Sequence, residues 1–304
     1  MAQPRGSVRI GNFRWVICVL LFLVTTINYV DRNSLSVLKV TLERELSWGE
    51  ADYGWIAFAF TTAYAIFPTV AGRMIDALGV RVGFALGVGL WSLICMAHGL
   101  VRSVLGFAVV RFLLGAAEST NFPASIKAVA QWFPQQERAL ATGLFNCGSN
   151  VGVMISFSTV WLANSYGWQW AFIAVGAAGF GWLGCWLRGY AFPDEHPRVS
   201  PAELAYIRAE GAVTEHREKG HWVRLLRYRE IWPFLSAKFL TDPVWWFYLF
   251  WLPSYLAKER GKNPLHSALL LIITYGAARS VRSREDGSPD SSWVAAGESP
   301  RRAT

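Results

Sequence analysis

Charge is scarce in this sequence. Asp, Glu, Lys and Arg make up 16% of its 304 residues and hydrophobic types 53%. The mean hydropathy of +0.27 is one that a soluble globular domain rarely reaches. Cysteine is sparse as well: Cys18, Cys95, Cys147 and Cys185 lie far apart with no paired spacing. That pattern argues against a disulfide or metal framework and leaves them as small apolar packing residues. His98, His196, His216, His221 and His266 make no metal-ligand spacing. No nucleophile stands with a base and no phosphate loop occurs, so the expectation is no enzyme, no metal and no cofactor. The net charge of +8 sits in connections beside apolar runs, which predicts a membrane-flanking role and no nucleic-acid partner.

Long apolar runs are what the sequence has in their place. Windows able to cross about 30 Å of hydrocarbon predict spans at 14–38, 53–71, 81–101, 104–127, 140–163 and 168–190. A seventh follows at 231–256, and "LHSALLLIITYGAA" from Leu265 to Ala278 is the beginning of an eighth. The fold class expected is therefore an all-α polytopic membrane protein. The organisation expected is an N-terminus over 1–13, a six-helix bundle over 14–190, a polar linker over 191–230, an incomplete second bundle over 231–278 and a polar tail over 279–304. In the linker, Ser200 before Pro201 and Glu203 predicts a capped helix start. The first apolar run is long and ends in charges without a small-residue cleavage site, so it predicts an uncleaved span. Arg5, Arg9 and Arg14 precede that span, Arg73 and Arg81 flank the second connection, and Lys127 and Arg138 flank the fourth. The positive-inside rule then places the N-terminus in the cytoplasm, although the basic "AKERGKNP" after the seventh span dissents.

A few charges fall at bilayer depth, where each costs at least about 2.5–3.5 kcal/mol on insertion scales and needs a partner, water or a function. Asp31 lies roughly 13 Å from the outer end of the first span and Arg111 roughly 12 Å from the outer end of the fourth, at 1.5 Å per residue. These two can meet at one level. Glu118 follows Arg111 by two helical turns on nearly the same face. Tyr64, Ser149 and Asn150 fall roughly 14–17 Å from their boundaries, near the midplane. Taken together, this layer predicts a solvated substrate cavity. Gly143, Gly148 and Gly152 lie along the fifth span, with Gly148 and Gly152 four apart as in close small-residue packing.

The stretch "GRMIDALGVR" supplies Gly72, Asp76, Gly79 and Arg81 and resembles the conformational loop between helices two and three of the major facilitator superfamily. Ala77 and Val82 stand where that family often has further basic residues. "NYVDRNSLSV" and "RFLLGAAESTNFPASIKAVAQWFPQQERALATGLFNCGSNVG" resemble helices one, four and five of its anion:cation symporter branch. "KFLTDPVWWFYLFWLPSYL" resembles bacterial hexuronate-transporter members. The resemblance implies a six-helix bundle plus the start of a second, in the multi-pass setting of a bacterial inner membrane. It also implies proton-coupled symport of a sugar-acid anion such as glucuronate or galacturonate. Residue by residue, it implies that Asp31 and Glu118 take part in proton coupling beside Arg111, and that Arg32 binds the substrate carboxylate. Tyr29 and Tyr64 are expected by the sugar-acid site. Ser149 stands where some aldonate carriers have glutamine. Family members have twelve spans, so a truncated or frameshifted product is a further expectation, and with it the alternative of a membrane fragment that does not transport.

Overall fold

The structure is a computed structural model in which residues 11–209, 227–229 and 231–259 are described. Among the described residues, four stretches are long and apolar enough to cross a bilayer by length and composition: Phe13–Leu46, Pro68–Leu100, Gln135–Tyr166 and Trp168–Gly189. Of the other predicted spans, the second is interrupted at Phe67 and the fourth at Ser119–Thr120, while the seventh lies on one continuous helix.

Helix α1 (Phe13–Leu46) is continuous over 34 residues, roughly 50 Å at 1.5 Å per residue. It therefore projects well beyond the hydrocarbon, further than the predicted end at Leu38. It stops at Ser47, whose left-handed backbone (φ 56°) turns its N–H back to the Glu43 carbonyl. Helix α2 (Glu50–Ile66) ends at Phe67, immediately before Pro68. Helix α3 (Pro68–Ala97) is interrupted at Gly79, with φ 76° and ψ 162°. That conformation is open only to glycine. The connection predicted between the second and third spans is thus reduced to the break at Gly79, with Asp76 in the helical turn before it, Gly72 one turn earlier and Arg81 just after.

The fourth span divides into α4 (Val104–Glu118) and α5 (Asn121–Trp132). Ser119 and Thr120 hydroxyls donate to the Ala116 and Ala117 carbonyls at 2.7 and 2.8 Å, competing with the helical ladder. Pro123, one turn on, has no N–H for the Ser119 carbonyl. The fifth span divides likewise into α6 (Gln135–Ser156) and α7 (Ser158–Tyr166) at Phe157, where Ser156 and Thr159 hydroxyls donate to the Val153 and Ser156 carbonyls. Helix α8 (Trp168–Gly189) completes the six spans. The predicted cap is present: Ser200 Oγ accepts the Glu203 N–H at 3.1 Å and opens α9 (Pro201–Arg208). The seventh span is α10 (Ile231–Glu259), with Pro243 and Pro253 inside it. The predicted partial eighth span and the tail lie outside the described residues.

Helix α1 is the centre of the bundle. It packs against α6, α8, α10, α5 and α7, while α2 lies on α4 and α3 on α8. Its approach to α6 depends on glycine: a Cβ on Gly148 or Gly152 would stand 2.5 Å from the Phe22 or Thr26 carbonyl oxygen. Cys18 and Cys95 are buried as packing residues, Cys147 is half-buried, and Cys185 is exposed on the outer surface of α8. The packing role expected for Cys185 is therefore corrected. At the Arg14 end, Arg14 donates to Glu137 at 2.7 Å and to Glu203 at 3.3 Å, and Tyr206 donates to Glu137, which ties α9 to α1 and α6. His196 packs on the Phe13 and Trp132 rings. Burial lowers its proton affinity, in keeping with an Nδ1 that accepts the Arg198 N–H at 3.2 Å.

Candidate functional site

The site is built around residues 30–36 of α1, all of them buried. Seven consecutive residues cover nearly two helical turns, so every face of α1 at this level meets protein. Asp31 and Arg32 can then both be interior although they point about 100° apart. Arg32 is 1% exposed and Glu118 fully buried. Arg32 Nε and Nη2 donate to Glu118 Oε2 at 3.1 and 2.9 Å, and Nη2 also donates to Asn28 Oδ1 at 3.1 Å. Glu118 reaches this position because Gly115, one turn back on α4, lets the chain approach Phe60 of α2; a Cβ there would lie 2.5 Å from the Phe60 carbonyl oxygen.

Among the described residues, four aromatic rings surround the guanidinium. The Arg32 Cζ lies 4.3 Å from the Tyr64 ring centre, 4.7 Å from Tyr29, 5.2 Å from Trp246 and 5.4 Å from Phe60. Cation–π attraction of this kind strengthens when the cation is desolvated. Tyr29 is positioned by Gly152, whose missing side chain would meet the Tyr29 Cβ.

The direct ion pair at this level joins Arg32 to Glu118, with Asp31 and Arg111 as charge neighbours beside it. Among the described residues no ion pair joins Asp31 to Arg111. Asp31 Oδ1, Glu118 Oε1 and Arg111 Nε and Nη2 have no hydrogen-bond partner among the described residues. Arg111 instead donates from Nη1 to the Arg32 carbonyl at 3.4 Å and stands 5.9 Å from the Phe60 ring centre. It attracts Asp31 through space, with Cys95 of α3 as a further neighbour of the carboxylate. The four charged groups sum to zero, and all of them are buried.

Ser149 and Asn150 are half-buried on α6. Ser149 Oγ donates to the Asn146 carbonyl at 2.7 Å, and neither residue joins the Arg32 cluster. The loop residues lie elsewhere: Asp76 pairs with Lys127 at 2.8 Å and Arg81 donates to the Leu187 carbonyl at 2.8 Å. They link the Gly79 break to α5 and α8. Sequence reasoning missed Asn28, Phe60 and Trp246. The run "WWFYLFW" at 245–251 flags an aromatic face, but not which ring reaches the site.

A second set of contacts fixes α10 against the first bundle. Pro253 has no N–H, so the Leu249 carbonyl one turn back has no helical donor. Ser36 Oγ donates to the Leu249 and Phe250 carbonyls at 3.1 and 2.8 Å, and Tyr53 donates to the Phe250 carbonyl at 2.9 Å. Lys39, buried beside them, pairs with Glu43 at 3.5 Å and with Glu50, and reaches Ser254 at 3.5 Å.

The profile of the Major Facilitator Superfamily matches residues 21–282, and the chain belongs to that family. It is 35% identical over 260 residues to a hexuronate transporter of Escherichia coli (strain K12), covering 84% of this chain and 60% of that one. It is 34% identical to a galacturonate transporter of Dickeya chrysanthemi, covering 84% and 75%. The chain thus spans about 60% of the length of the Escherichia coli relative. Among solved structures, a bacterial homolog of the human lysosomal transporter Spinster, inward-facing and occupied, superposes with a TM-score of 0.67 at 18% identity, over 92% of this chain and 63% of that one. The fold is that of a multi-pass membrane protein of this family.

Proposed function

We propose that the chain carries the anion and proton site of a symporter that moves a sugar-acid anion such as glucuronate or galacturonate by alternating access. The setting is a bacterial inner membrane with the N-terminus in the cytoplasm. The supporting observation is the buried Arg32–Glu118 pair inside its aromatic cage. Glu118 occupies the guanidinium edge that a substrate carboxylate needs, because Arg presents a planar fork suited to carboxylates. Displacing Glu118 unprotonated would leave a buried carboxylate without a partner, a cost of about 3–5 kcal/mol. A proton on Glu118 removes that cost and releases Arg32.

Charge balance gives the same coupling. Asp31, Glu118, Arg32 and Arg111 sum to zero, so one entering anion leaves the buried site at −1 and one proton restores it. Asp31, attracted by Arg111 but not paired with it, is the second proton acceptor in this reading. Tyr29 and Tyr64 flank the anion. Ser149 and Asn150 would reach a bound sugar acid from α6. Rocking of residues 14–190 against residues 231–278, joined by the linker 191–230, would alternate the site between the two sides. The Gly79 break with Gly72, Asp76 and Arg81 is the proposed pivot.

The test uses the chain in proteoliposomes. Arg32→Lys should raise the KM for glucuronate at least about tenfold, since a point charge replaces a bidentate fork. Asp31→Asn should retain glucuronate exchange and lose gradient-driven accumulation. Wild-type behaviour of both variants would refute the assignment, and accumulation driven by sodium in place of protons would refute the coupling.

A further inference from the structure

Of the four described rings around Arg32, Trp246 is the one that comes from outside the first six spans. Its ring lies against Phe60 at 6.2 Å, Tyr64 at 5.6 Å and Phe250 at 5.5 Å, stacked on the last at 23°. It is half-buried, so part of the indole remains uncovered. Its position is imposed by neighbours: the carbonyls of Leu249 and Phe250, one turn further along α10, are gripped by Ser36 and Tyr53.

The guanidinium therefore has a polar edge, held by Glu118 and Asn28, and aromatic surroundings formed by Tyr29, Phe60, Tyr64 and Trp246. An acid whose carboxylate replaces Glu118 on that edge would carry its carbon skeleton against these rings. An aromatic face is apolar and negative. It accepts the C–H face of a closed pyranose, a rigid and nearly flat surface. An acyclic sugar diacid must freeze several torsions to present such a surface, and its second carboxylate meets a face of its own sign.

We propose that Trp246 is a specificity-determining residue that stacks on the pyranose ring and favours cyclic hexuronates over acyclic sugar diacids. This rests on the sugar-acid reading of the site. The test is binding of labelled glucuronate to the purified chain in lipid nanodiscs, competed by unlabelled glucuronate or glucarate. Wild type should prefer glucuronate. Trp246→Leu should weaken glucuronate about tenfold while leaving glucarate within about twofold, so that the preference collapses. Trp246→Phe, which keeps a ring, should retain most of it. Equal weakening of both acids would reduce Trp246 to a structural role and overturn the inference, as would an unchanged ratio. Either result would leave the sugar-acid reading intact. Binding of neither acid by wild type would overturn that reading and this inference with it.

Discussion

Removing the hydroxyls that hold α10 should loosen one end of the bundle by a calculable amount. Ser36 and Tyr53 each supply a single O–H donor to carbonyls next to Pro253. When α10 separates from α1 and α2, those carbonyls and hydroxyls exchange their bonds for water. The net loss in Ser36→Ala or Tyr53→Phe is then about 1 kcal/mol each. The pair would cost about 2 kcal/mol, which moves the ratio of separated to closed molecules about 30-fold. Spin labels at Glu45 and Tyr255, both exposed, would report the separation by double electron–electron resonance. Cys147 and Cys185 would be replaced by alanine, and buried Cys18 and Cys95 retained. The double variant should populate a longer distance that is minor in the parent. An unchanged distribution, with both variants folded, would refute the claim that these bonds hold α10 to the first bundle.

Other outcomes follow from the same geometry. Glu118→Gln removes the anion that competes for Arg32, so glucuronate should bind at least about tenfold more tightly at neutral pH and with less pH dependence; equilibrium binding across pH checks this. Gly148→Val puts a side chain against the Phe22 carbonyl and should destabilise the α1–α6 contact by about 1–3 kcal/mol, visible as a lower melting temperature in detergent. Glu203→Ala removes an acceptor of Arg14 and should increase proteolysis within the linker while leaving Arg32-dependent binding unchanged.

Level along the helix axes was partly legible in the sequence, and azimuth was not. Rise per residue brings Asp31, Arg111 and Tyr64 close to one level, with Glu118 two turns further along, and the structure gathers them around α1. Choosing which carboxylate meets which guanidinium requires the rotation of each helix, and α1 offers no polar face to read because residues 30–36 are all buried. Ser149 and Asn150 have suitable depth but stand apart from the Arg32 cluster on α6. The helix breaks were only partly legible. Gly79 was visible as a connection, although its reduction to a break within α3 was not. The breaks at Ser119–Thr120 and Phe157 arise from hydroxyls bonding to nearby carbonyls, a choice that short polar side chains also decline in many helices. Trp246 joins the site only through long-range packing of α10 on α1 and α2, which no local pattern records.

The most direct measurement of the central claim is uptake of labelled glucuronate and galacturonate by proteoliposomes containing this 304-residue chain, with and without an inward proton gradient. Accumulation that requires the gradient, and is abolished by Arg32→Ala, is the expected result. Uptake indifferent to the gradient would contradict proton coupling through Glu118 and Asp31, and no uptake of either acid would contradict transport by this chain.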